Sequence, residues 1–435
     1  MDDNSENKVT IIGGGVAGLT AAIFLAQNGG HVTLYEQGKK LGGRAKTTNK
    51  DGVLFNMGAH ALYVGGAADK TFQEVGIKLS GKRPVFAKSI GVRDGRDHIL
   101  PGTPAELFKT DLINFKEKIN LARYLMKIQS GDAGKFSGIS WQEWVEDLTD
   151  SKRLRQMIIA LSRVFTYTND PERVSAQVIL SQMQMGLKEN VRYLDGGWQS
   201  MVQALREKAE GFGTDIVTES RITAIDPSEN SVTLVDGAKI LSGAIVLAVD
   251  PQTASKLLPE SASLAQFIGQ NIPVKTAALN LAFSKLPCPD NQFSLGIDHS
   301  SFFSVHSHAA KLAPDGTIVA HLMKYYPADD EDGDRALQEL EHVLDLIQPG
   351  WKTFVIERSY LPVMTAANHL PTAEQGGYNG RPAVQLPEYD NIFLTGDWVG
   401  DEGWLVDGSV ASGRKAAKLI SHQLAGISAH QPVSQ

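Results

Sequence analysis

Gly13, Gly15 and Gly18 have the spacing with which a backbone wraps a pyrophosphate: one glycine for a tight turn, one for close approach of the chain to the anion, one for close packing of helix on strand. Glu36, eighteen residues past Gly18, stands where a carboxylate accepts both hydroxyls of an adenosine ribose and disfavours a 2′-phosphate, so NADP is a poor fit. The elements that must hold these groups are legible around them. Val9, Ile11 and Ile12 form a short apolar run, Leu19 to Gln27 carries helix formers with Ala21, Ala22, Leu25 and Ala26 close together, and Gly29-Gly30 stops the helix. His31 to Glu36 reads as a second strand, completing a βαβ unit whose first helical turn, Val16, Ala17 and Gly18, points free N–H groups at the anion.

Six residues past Glu36 come Gly42-Gly43-Arg44, and with Ile12 to Gly15 and Leu41 this pattern resembles the doublet-glycine fingerprint of FAD-dependent amine oxidases, protoporphyrinogen oxidases and phytoene desaturases. The resemblance implies that Gly42 and Gly43 let the chain pass close to a flavin's ribityl and phosphate groups, with Arg44 a fixed charge for that anionic chain. Phe55 to His60 resembles the family segment under the isoalloxazine, which implies Gly58 and Ala59 near the ring; His60 is either a flavin or substrate contact or a packed core histidine. Tyr193 to Met201 resembles the return into the FAD domain, and Gly213 to Ile225 the strand pair that meets adenine, with Ile222 in the contacting position. Near the carboxyl end, Asn391 to Asp397 and Trp404 to Gly413 complete the pattern. They imply Gly396 and Asp397 at the ribityl hydroxyls, and a helix entered at Gly408-Ser409-Val410 whose N-terminus faces the flavin's pyrimidine end.

The expected fold is α/β, α+β overall: a Rossmann-like FAD-binding domain with an inserted mixed-sheet-plus-helices substrate domain. Flavin segments at 1–80, 190–255 and 385–435 leave 81–189 and 256–384 to form that second domain, the first insertion helical (Asp111 to Leu125, Leu154 to Phe165), the second strand-like (Thr276 to Phe283, Thr317 to Lys324). An apolar cavity is expected at the seam. Lys324, on a strand, either holds water against the flavin, as the resemblance implies, or is a solvent-facing or salt-bridged lysine; Trp404 either forms a wall beside the ring or packs as a large residue near a helix start. His306 and His308 share a face if Phe302 to His308 is a strand, for packing or for a metal; Asp401 and Glu402 are candidates for proton removal or for loop ion pairs.

Pro101 to Leu125, Val191 to Ala204 and Ser304 to Gly316 resemble phytoene-desaturase-like proteins more than monoamine oxidases, which implies dehydrogenation of an apolar substrate, with oxygen or a quinone taking the electrons. Two alternatives stand beside it: an amine or amino-acid oxidase releasing peroxide, and a binding protein on the same fold. Cys288 lies outside the carboxyl-terminal block, so the FAD is expected to be noncovalent, and one thiol among 435 residues supports neither an internal disulfide nor a cysteine zinc site. A net charge of -7 builds no field for nucleic acid. Met1 to Lys8 lacks a signal peptide's features and no apolar run reaches bilayer length, so a cytoplasmic protein is expected. The segment Asp111 to Ile128, with Lys116, Lys118, Arg123 and Lys127 beside Leu112, Phe115, Ile119, Leu121 and Leu125, would either face solvent or rest peripherally on a membrane.

Overall fold

The computed structural model describes residues 7–428; positions 1–6 and those from 429 on, which hold most of the low-promise tail Gly426 to Gln435, lie outside the described residues. Five strands form a parallel sheet in the order Asp215–Val217, His31–Tyr35, Lys8–Ile12, Ala244–Leu247, Ile392–Leu394; the apolar inner strands Lys8–Ile12 and Ala244–Leu247 are almost wholly buried and must be covered on both sides, while the edge strand Asp215–Val217 is largely exposed. The helices Val16–Gln27 and Val406–Ser428 cover it, and Leu19, Ile23, Val410, Ala417 and Ile420 join Ile11, Leu34, Ile245 and Phe393 in one core. Leu257, Leu258, Leu264 and Phe267 also pack into this core.

A second, seven-stranded mixed sheet runs in the order Val355–Ala367, Val274–Phe283, Ile318–Tyr325, Ser301–Val305, Asn291–Gly296, Lys88–Arg93, Arg96–Ile99. All neighbours are antiparallel except Lys88–Arg93 against Asn291–Gly296. Alternation divides its residues cleanly. Leu279, Leu281, Phe283, Phe303, Val305, Ala320 and Leu322 pack against the helix Gly333–Ile347, whereas Ala278, Phe302 and Met323 belong to a separate cluster with Ala59 on the other face. Helices Phe115–Ser130, Trp141–Leu148, Lys152–Thr166 and Ala176–Glu189 build a further core around Leu121, Trp141, Ile158 and Ile179.

Several boundaries differ from the sequence reading for identifiable reasons. The first insertion is not only helical: Lys88–Arg93 and Arg96–Ile99 form a hairpin on the edge of the second sheet. The helix expected from Asp111 begins at Phe115, because Asn114 and Glu117 form a reciprocal capping box that fixes the start there. The carboxyl-terminal helix starts at Val406, ahead of Gly408, so Ser409 lies within the helix, its hydroxyl bonded back to the Leu405 carbonyl. The segments paired in the sequence reading belong to different sheets: Asp215–Val217 joins the parallel sheet, and Ile222–Asp226 joins a three-stranded antiparallel one with Ser231–Leu234 and Lys239–Leu241.

Candidate active site

In the parallel sheet, the chemistry-bearing residues all follow carboxyl ends of strands, where open α/β sheets present ligand sites. Gly13 follows Lys8–Ile12 with φ of 110°, and a Cβ there would stand 2.4 Å from the Ala248 carbonyl oxygen. A Cβ on Gly18 would lie 2.1 Å from the Gly13 carbonyl oxygen, so helix and turn approach as closely as glycine permits. The Val16–Gln27 helix opens at Gly15 with no side-chain cap and no acid in its first turn, leaving its leading N–H groups for an external acceptor. Glu36 follows His31–Tyr35, and its carboxylate receives the N–H groups of Gly14 (2.9 Å) and Gly38 (2.8 Å). The Gly42 N–H donates to the Gly14 carbonyl at 2.8 Å, so the second glycine loop lies beside the first. Ile222 opens its strand with its side chain in the core of the parallel sheet.

Arg44 and Asp397, 353 positions apart, form an ion pair at 2.7 Å, with Asp397 1% exposed. Arg44 also donates to the Ala366 carbonyl at 2.7 Å, and Asn368 gives Asp397 both its backbone N–H (3.1 Å) and its side-chain amide (3.0 Å). Gly396, before Asp397, donates its N–H to the Ser412 hydroxyl at 2.9 Å, which fixes this turn against the carboxyl-terminal helix. A Cβ on Gly408 would reach the Asp397 Cα at 3.5 Å, so the helix start and the acid are adjacent. Val410 packs in the core beneath.

Gly58 and Ala59 face the second sheet. The Ala59 N–H points at the Met323 sulfur at 3.4 Å, its carbonyl accepts the Tyr167 hydroxyl at 2.5 Å, and Met323 and Met364 lie against Gly58. His60 stacks on Trp198 with centroids 4.4 Å apart; burial, then the Arg44 charge, lowers its pKa to about 3. His306 and His321 meet edge to face at 4.4 Å, and His306 stacks on Tyr193 at 3.7 Å. Burial first, and the His60 charge after it, holds His321 at about 3, and its Nδ1 lies 2.6 Å from the Asn280 Oδ1. The surface above Ala59 is therefore methionine, aromatic and neutral imidazole.

Five sequence candidates are not brought to this surface. Lys324 follows Met323 and so points to the opposite face of its strand, where it pairs with Glu339 on the Gly333–Ile347 helix and lines a separate cavity of about 790 Å³ with Arg163 and Arg335. Trp404 is fully buried in the helical core around Trp141 and Ile158 and gives its indole N–H to the Thr166 carbonyl at 3.2 Å. His308 leaves the pairing with His306, because the strand ends at Val305 and the chain turns, as the Ala309 N–H bond to the His306 carbonyl records; among the described residues no three His, Cys, Asp or Glu side chains gather as a metal site. Asp401 pairs with Lys415 at 2.8 Å, and Glu402 is exposed. Residues that sequence reasoning missed are Asn368, Tyr167, Met323, Met364 and Arg381. Strand alternation from Lys324 carried the signal for Met323; the others come from distant segments and had none.

A parallel sheet with a glycine-lined helix entrance, an acid at the end of its second strand and an apolar cluster against a second sheet has the features of the dinucleotide-dependent oxidoreductase class. The chain matches the family model for flavin containing amine oxidoreductase over residues 16–421 and belongs to that family. It is 27% identical to the 15-cis-phytoene desaturase of Arabidopsis thaliana over 58% of this chain and 49% of that protein, so it spans about half the length of that relative. To the 15-cis-phytoene desaturase of Synechococcus elongatus it is 25% identical over 95% of both chains. The solved structure of cyclohexylamine oxidase from Brevibacterium oxydans shares the fold with a TM-score of 0.71, 16% identity, and coverage of 96% of this chain and 99% of that one.

Proposed function

We propose that the groove between the two sheets binds FAD noncovalently and that the enzyme dehydrogenates an apolar organic substrate, in the manner of a desaturase. When bound, FAD supplies the hydride acceptor. The residues fit it: the uncapped helix at Gly15 takes the pyrophosphate, Glu36 the ribose, and the Arg44–Asp397–Asn368 cluster the ribityl chain, with Gly58 and Ala59 beneath the ring. Cys288 is braced by Gln348 in the second unit, remote from these groups in the contact pattern, which supports noncovalent attachment.

The observation that carries the desaturase reading is the apolar cluster packed against Ala59. Ala59, Ala278, Phe302, Met323 and Met364, with Met57, Val164, Phe293 and Leu361 beside them, offer shape and dispersion but no carboxylate to a substrate. Positioning a C–H bond over the acceptor while excluding water is what such a surface does. The amine-oxidase reading has one observation of its own: Tyr167 and Tyr325 meet edge to face at 6.1 Å, a pair able to attract a cation.

The same reading assigns the two units proposed from sequence to FAD and substrate, with oxygen or a quinone as final acceptor. Lipid-soluble substrate would arrive through the exposed apolar face formed by Phe108, Phe115, Ile119 and Met126, beside Lys109, Lys116 and Lys127, resting peripherally on an anionic membrane. Sedimentation with anionic but not zwitterionic vesicles is the expected result, and no sedimentation with either removes this part of the proposal.

The deciding experiment is the visible absorption spectrum of the purified protein, followed anaerobically as amines, porphyrinogens and isoprenoids are added. Bleaching by an isoprenoid or porphyrinogen supports the desaturase reading, and bleaching by amines alone replaces it with the amine oxidase. A colourless protein that also fails to take up FAD overturns both.

A further inference from the structure

Arg381 is 7% exposed, yet no carboxylate lies within ion-pair distance of it among the described residues. Its Nη2 donates to the Gly403 carbonyl at 2.7 Å, while Nε and Nη1 are buried with no hydrogen-bond partner. Its plane lies over the Tyr378 ring at 4.3 Å and near that of Trp404 at 6.0 Å, contacts that hold the group in place but do not neutralise it. The nearby carboxylates are committed elsewhere: Asp397 to Arg44, Asp401 to Lys415, and Asp407 to the Ala68 N–H.

The position of this charge matters more than its burial. A Cβ on Gly408 would stand 3.3 Å from the Arg381 Nη1, so the guanidinium sits directly behind the first turn of the carboxyl-terminal helix. A helix N-terminus already carries the positive end of a dipole, and helices elsewhere favour an acid there. Here a buried cation adds to it. Asp407 stands in the same turn, but its carboxylate takes the Ala68 N–H at 2.7 Å and burial raises its pKa to about 7, so the two desolvated positive sources at Gly408 favour an anion placed at the helix start.

We propose that Arg381 is an electrostatic positioning residue that, acting across Gly408, stabilises negative charge gained at the pyrimidine end of the flavin on reduction. This rests on the FAD reading above and deepens it. Arg381 touches no reacting atom; its effect is on the equilibrium between oxidised and reduced cofactor, making the bound flavin a stronger acceptor of electrons from an unactivated C–H bond.

The test is the reduction potential of the FAD-loaded protein, measured anaerobically against a reference dye, in wild type and in Arg381→Met. Methionine fits between the two rings and removes a buried unpaired charge, a change that is often neutral or stabilising. The ratio of reduced-state to oxidised-state flavin affinity is expected to fall about tenfold, equivalent to about 30 mV for a two-electron couple. Asp401→Asn, at an exposed residue that faces Arg381 electrostatically, is the second variant and is expected to shift the ratio two- to threefold the other way. Arg381→Met that binds FAD with an unchanged potential overturns the proposal; if that variant does not fold, an unchanged or lowered potential in Asp401→Asn overturns it. A wild-type protein that binds no FAD overturns the underlying reading instead, so the two failures are distinguishable.

Discussion

Glu36 spends both carboxylate oxygens on the N–H groups of Gly14 and Gly38, so the acid that would hold a ribose also fixes the loops on either side of it. Hydrogen bonds to a charged group contribute about 1.5–3 kcal/mol each. Glu36→Ala is therefore expected to weaken FAD binding at least tenfold, measured by titrating apoprotein and following flavin fluorescence; undiminished affinity would remove Glu36 from the site. The buried histidines give a pH prediction. His321 and His369 are wholly buried, and burial is the main cause lowering both to about 3 from an ordinary 6.5. Between those values the unfolded chain binds protons that the folded one refuses, so stability is intact above pH 6.5 and declines as pH falls toward 3. Denaturant midpoints measured from pH 7 to pH 4.5 should fall steadily, and His321→Asn should reduce the slope. A flat wild-type profile would mean that these groups take up protons in the native state.

The strand Ile318–Tyr325 separates two roles by one position. Met323 meets the Ala59 N–H, while Lys324 pairs with Glu339 on the opposite face. Lys324→Met should therefore change turnover by less than about twofold, in a steady-state assay with whichever substrate bleaches the flavin; a loss of tenfold or more would return Lys324 to the chemistry. This strand also shows how much the sequence conveys. The residues near Gly13, Glu36 and Gly42 were legible because turn, helix entrance and strand end are local, and glycine at φ of 110° leaves a mark in composition. Asp397 was legible only through family resemblance, and its partners Asn368 and Arg44 lie on segments that meet only in the fold. Helix starts slipped where a cap, such as the Asn114–Glu117 box, outweighed apolar periodicity. The face of a strand is fixed by one residue of register, which is why Lys324 takes the salt-bridged of its two readings while Met323 meets Ala59.

At the scale of the whole molecule, the chain passes repeatedly between the two sheets, and both polar ties and apolar packing hold them together. Arg44, from a loop of the parallel sheet, binds both Asp397 and the Ala366 carbonyl at the end of the second sheet's edge strand. Trp404 leaves the flavin-side segment to pack in the helical core of the other unit, two residues before the helix that returns to the first. A cofactor laid across this seam would bind the native arrangement and not the unfolded chain, so it stabilises by mass action: about 2.7 kcal/mol at free FAD one hundredfold above Kd. The expected result is a single melting transition that moves upward with FAD, because each core then shares one ligand. Arg44→Ala should reduce that rise by removing a contact on each side of the seam. Trp198 and Trp398 report on the first core, and Trp141 and Trp144 on the second. If hydrogen exchange or site-specific fluorescence finds FAD raising the stability of the first set alone, the ligand is held by one sheet only, and the seam positions substrate without being braced by the cofactor.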